Sequence, residues 1–148
     1  MKQSKSRLAS VPRRLWTFEE AQAAVPYFSS VGRSLREYYL EILAKHRELQ
    51  MLTKRHGRPD RKALTEEQEA RRDLQKAEQD YVDALEEFSE LNVQPLDPGK
   101  GTALVPFVHD DQPAWYVFDL FDSQPIRSWR YQSDPEETRR ELTAPQVS

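Results

Sequence analysis

"TKRHGRPDRK", Thr53 to Lys62, lies between two long charged segments, and its reading decides the fold. Gly57 and Pro59 break helix, so the stretch reads as a bend between two helices that fold back on each other. Before it, Phe28, Val31, Leu35, Tyr38, Ile42, Lys45, Leu49 and Leu52 recur at alternating steps of three and four. After it, Glu67, Ala70, Leu74, Ala77, Tyr81, Ala84, Phe88 and Leu91 do the same. Such spacing puts each set on one helical stripe, a heptad seam.

A short link makes the helices antiparallel, which suggests a register. Phe28 faces Leu91, Val31 faces Phe88, Leu35 faces Ala84, Tyr38 faces Tyr81, Ile42 faces Ala77 and Leu49 faces Ala70. Setting large residues against alanine lets the helices approach closely. The polar seam members are Lys45, opposite Leu74, and Glu67, opposite Leu52; their stems pack while the charges reach water. Tyr39, Leu43, Val82 and Leu85 widen the seam at the end away from the bend. One shared seam buries too little, so that end should receive the rest of the chain or a second subunit.

Upstream, "WTFEEAQAAVP" opens the ordered region. Thr17 and Glu20 form a capping box, and Trp16 precedes it as a hydrophobic staple. Pro26 separates a short helix, 18–24, from the long helix running to Arg55. Downstream, residues 93–101 read as a linker by their prolines and glycines. "TALVPFV", "AWYVFDLF" and "IRSWRYQ" then read as strands, with "HDDQP" and "DSQP" as turns. Pro106 marks the first strand as an edge or a bulge. On the second strand Trp115, Val117, Asp119 and Phe121 share one face, and Tyr116, Phe118 and Leu120 the other. One face should cover the hairpin; the other meets a second subunit or partner. Asp119 is the oddly placed carboxylate, and pairing with Arg127 or Arg130 would account for it.

The reading is therefore α+β, mainly α. A long antiparallel helical hairpin, coiled-coil-like, carries a small three-stranded antiparallel β-meander at the end away from its turn. Residues 1–14 form a flexible basic arm. A single domain spans 15–132: hairpin 15–92, linker 93–101 and meander 102–132. The tail, 133–148, includes a short helix over 135–142, capped by Ser133 or Asp134 with Pro135 near its start.

The 148 residues are 37% hydrophobic and 32% charged, with a net charge of −3. Bulk charge gives no reason to expect nucleic acid. The absence of cysteine excludes disulfides, thiolate zinc sites and cysteine nucleophiles, and fits the cytoplasm. No segment reads as a signal peptide or a membrane span.

"WTFEEAQAAVP" also resembles the opening of a family of small bacterial proteins, domain of unknown function 2203. Trp16, Thr17, Glu19, Glu20, Ala21, Ala23 and Pro26 fit its pattern. The resemblance continues through the charged helical pair, loosely through Gly101 to Pro106, and through aromatic strands to Trp129, over roughly residues 15–132. Where the family tends to a basic residue after the second-strand aromatic, this chain has Asp119. Where it tends to histidine after the last tryptophan, this chain has Arg130. The resemblance implies a shape and supplies no activity.

No phosphate loop, dinucleotide fingerprint or metalloprotease motif is present. His46, His56 and His109 form no ligand set, and turn chemistry explains Asp110 and Asp111. No metal or cofactor is expected. Lys54, Arg55, Arg58, Arg61 and Lys62 make the bend basic. Glu78, Asp80, Asp83, Glu86, Glu87 and Glu90 make the far end of the second helix acidic.

Three functions follow. The first is a non-enzymatic assembly module, a homodimer joined through the hairpin and the aromatic sheet. The second is an RNA- or ribosome-associated factor, or one that docks an acidic protein, using the basic tip. The third is a small-molecule site or enzyme between sheet and helices near Asp119, Trp129 and Arg130.

Overall fold

The computed structural model describes residues 14–55 and 60–142, with the side chain of Arg55 left aside. Residues 1–13 of the basic arm, and the bend with His56, Gly57, Arg58 and Pro59, lie outside the described residues.

Thr17 caps α1 (Phe18–Ala23) through the expected capping box. Helix α2 (Val25–Arg55) follows after Ala24 alone. Pro26 falls in its first turn, where a missing N–H costs nothing, and the Ala24 carbonyl accepts from the Phe28 amide at 2.9 Å. Helix α3 (Arg61–Glu90) begins at Asp60, whose side chain accepts from the Ala63 amide at 2.8 Å.

Helix α3 ends in a Schellman motif. Asn92 takes a left-handed φ of 62°. The Val93 amide donates to the Phe88 carbonyl, and the Asn92 amide to Ser89. Phe88 and Val93 are both buried in the core, the hydrophobic contact that accompanies such an ending.

The two long helices pack antiparallel, and every seam position named from the sequence is buried or half-buried. Ala70, Ala77 and Ala84 are buried. Phe28 stacks edge-on to Phe88 at 6.4 Å, one turn from the partner assigned to it in sequence. The ring beside Tyr81 is that of Tyr39, at 6.4 Å. Lys45 reaches Asp73 at 3.6 Å.

The meander is larger than expected. Five strands run in order β1-β2-β3-β4-β5, every neighbouring pair antiparallel: β1 (Gln94–Asp97), β2 (Thr102–His109), β3 (Gln112–Asp119), β4 (Ile126–Tyr131) and β5 (Arg140–Glu141). The segment read as a linker thus contributes the edge strand β1. The tail expected to be helical over 135–142 instead turns and pairs as β5; it has no apolar helical stripe, and the backbone finds its partners in β4.

Asp110 and Asp111, at φ 51° and 62°, form a two-residue turn of the mirror-image type that matches strand twist. Pro106 sits beyond the reach of β1, with its backbone nitrogen aimed away from β3. No ladder bond is lost there, and its carbonyl accepts from the Trp16 amide at 2.9 Å.

Ala103, Val105, Phe107, Ala114, Tyr116, Phe118 and Trp129 belong to the core cluster shared with Phe28, Leu35 and Phe88. Phe28 is the junction: its ring meets Trp16 at 5.2 Å, Phe118 at 5.9 Å and Phe88. Trp16 also donates its indole N–H to the Leu91 carbonyl at 3.1 Å. The residue expected as a local staple therefore ties the end of α3, the start of α2 and β2 together. Among the described residues no helix is long and apolar enough to cross a membrane.

Candidate functional site

The sheet covers only the base of the hairpin, so each exposed surface has a definite address. At the tip, Lys54, Arg61 and Lys62 are exposed. Arg55 closes α2, and Arg58 lies outside the described residues, so the basic tip is seen in part.

Asp119, Trp129 and Arg130 do not converge. Trp129 pairs with Tyr116 on the helix-facing side. Arg130 pairs with Trp115, and Asp119 follows Val117, so both lie on the outer side. The expected pairing of Asp119 with Arg127 or Arg130 is absent. Asp119 accepts from the Phe121 amide at 3.0 Å. Arg127 is the extra residue of a bulge opposite Val117 and Phe118, and it binds Asp122 at 2.7 Å. That guanidinium, more than the Gln124 amide beside it, lowers the Asp122 pKa. Arg130 is buried, 5% exposed, and its Nη1 donates to the Tyr131 and Asp134 carbonyls at 3.2 Å each. Its Nε has no partner. It holds the turn leading to β5.

An outer cleft of about 250 Å³ is lined by Asp119, Asp122, Ser128, Arg127, Arg139 and Glu141, among others. Within it Asp122 and Arg127 pair with each other, while Asp119 accepts from the Phe121 amide and Arg139 donates to the Glu136 and Thr138 carbonyls. His109 is on the opposite face, 4.3 Å from the Trp129 ring, and so cannot serve as a base for Ser128. On that face Phe107 and Tyr116 stack at 3.8 Å, and burial pushes the Tyr116 phenol up to about 12. Arg140 lies over Trp129 and Tyr131 and is held by Asp134. Among the described residues no three metal-ligating side chains converge.

The flanks of the hairpin are more distinctive. On one flank, Glu37, Glu41 and Glu48 of α2 and Glu66, Glu69, Asp73 and Asp80 of α3 line two successive grooves of about 660 and 320 Å³. Their floors include Tyr38, Leu52, Ala70 and Ala77. Lys45 reaches into this flank. Its hydrogen bond to Glu48, backed by Asp73 and Glu41, raises its pKa above the ordinary lysine value. Sequence reasoning placed acid only near the end of α3. The signal was present in the heptads, where Glu41, Glu48, Glu66, Asp73 and Asp80 occupy the position beside the seam on the same side of both helices, and Glu37 and Glu69 lie next to them, farther from the seam.

The other flank meets the sheet. Of the four residues expected to widen the seam, Leu85 packs on the core, and Tyr39 packs on Tyr81 and beside Gly99. Leu43 (44% exposed) and Val82 remain open. Next to Leu43 on α2 come Leu40 and Arg36, and Arg36 lies under the ring of Phe121 at 5.0 Å. Phe121, 64% exposed, is the most open large apolar side chain at the rim of the sheet.

A family model described as "Uncharacterized conserved protein (DUF2203)" matches residues 14–142. No curated protein and no solved structure matches the chain. The matched span includes Trp16, both long helices and all five strands, so the chain belongs to the family of uncharacterized conserved proteins DUF2203.

Proposed function

We propose that this protein is a non-enzymatic assembly module that pairs with a second copy of itself, the uncovered part of the sheet-side flank being the contact. The observation that carries this reading is the run of Phe121, Leu40 and Leu43, each at least 40% exposed, on the flank where the chain's own sheet stops. Leaving several large apolar side chains together in water is unfavourable at about 25 cal/mol per Å² of apolar surface, and a second hairpin would cover them. A four-helix arrangement formed from two coiled-coil-like hairpins meets that need.

Light scattering tests the reading. The chain should run at twice its 17.4 kDa at micromolar concentration, and the Leu40→Asp, Leu43→Asp double variant at 17.4 kDa with its helical content kept. A wild-type protein that stays at 17.4 kDa contradicts it.

A further inference from the structure

The acidic flank is an unpartnered face of the hairpin, independent of the self-association surface, and the occupant we propose for it is the chain's own residues 1–13. Three observations carry the assignment. The first is charge: residues 1–13 hold Lys2, Lys5, Arg7 and Arg13 and no acid, whereas the grooves are walled by Glu37, Glu41, Asp73 and Asp80. The flank's own cations, Lys45, Arg47 and Lys76, are outnumbered by its acids, and Lys45 and Lys76 are already paired with Glu48, Asp73 and Asp80.

The second is position. The Arg14 amide donates to the Asn92 side chain at 2.7 Å, so the segment starts at the foot of α3. From that foot to the level of Glu66, at the far end of the larger groove, is roughly 39 Å, at about 1.5 Å per helical residue. Thirteen extended residues span roughly 43 Å, at about 3.3 Å each. The segment can therefore run the length of both grooves. The third is the floor: Ala70 and Ala77 leave room between the helices, and Leu8 and Val11 supply apolar side chains for it among the cations.

The chain has no cysteine, so one label can be placed on the full-length protein. A nitroxide at Ser4→Cys should broaden backbone amide signals of residues 37–41 and 73–80. The broadening should disappear in 1 M salt, where charges are screened beyond about 3 Å. Neutralising the flank with Glu37→Gln, Glu41→Gln, Asp73→Asn and Asp80→Asn should abolish it at low salt. Mixing labelled unenriched protein with unlabelled enriched protein should leave the signals sharp, because the contact is within one chain. Broadening in that mixture would assign the groove to a neighbouring copy and overturn the proposal. So would sharp flank signals in the labelled protein, or broadening that survives neutralisation.

Discussion

Gly101 shows what a single residue settles. It opens β2 at a left-handed φ of 73°, and a methyl group there would stand 2.9 Å from the Leu120 Cβ. Its carbonyl accepts from the Leu120 amide, which closes the corner between β1, β2 and the end of β3. A left-handed alanine costs about 1–2 kcal/mol and an overpacked contact about 1–3 more. Gly101→Ala should lower the midpoint of thermal unfolding by roughly 5–15 °C in a chain of this size. A change under about 2 °C would mean that the corner is not built this way. Gly101 was legible as part of a glycine–aliphatic–proline stretch, but its reason was not, because a positive φ leaves no mark in sequence. The same limit applied to Asp119. Its sequence neighbours suggested a cross-strand arginine, yet the bulge at Arg127 redirects that guanidinium to Asp122. Trp16 was legible as an aromatic residue before a cap. Its bonds to Leu91 and Pro106 depend on contacts some 75 and 90 positions away and could not be read locally.

Elements were legible wherever they carried their own periodicity. The two long helices and the strands β2, β3 and β4 did so. Strands β1 and β5 did not: they are short, β1 contains Pro95, and each exists because a longer neighbour offers an edge. The β5 strap depends on ion pairing. Asp134 binds Arg140 at 2.9 and 3.0 Å, and Arg140 lies over Trp129 and Tyr131. The hydrogen bond from Arg140 holds the Asp134 carboxyl below its ordinary value of 3.8. A folded-state pKa below the unfolded one stabilises the fold above the unfolded value, and that contribution is lost as pH falls through the folded one. The strap should therefore be intact at neutral pH and loosen as pH drops below 3.8. Hydrogen exchange reports it through the Leu142 amide, which donates to the Arg127 carbonyl at 3.0 Å. That amide should lose protection on acidification before the amides of β3 do. Joint loss across the sheet would remove the strap's separate dependence on Asp134.

At the scale of the whole molecule, the heptads made the hairpin legible because both seams obey one spacing rule and a short bend joins them. Their side-by-side arrangement was less legible. A seam states which residues face inward and leaves open which flank the sheet will cover. Gly32 beside Phe118, and Arg36 bonded to the Gly99 carbonyl at 2.9 Å, fix that choice. The uncovered acidic flank and the exposed leucines beside the sheet follow from it. All of these surfaces depend on α2 and α3 folding back so that Glu37 and Asp80 line one groove. Nitroxides at Glu37→Cys and Asp80→Cys in the otherwise cysteine-free chain measure this directly by pulsed electron resonance. Helices packed about 8–10 Å apart predict a separation within roughly 20 Å once label length is added. A separation near 65 Å, the length of one continuous helix over those positions at about 1.5 Å per residue, would contradict it.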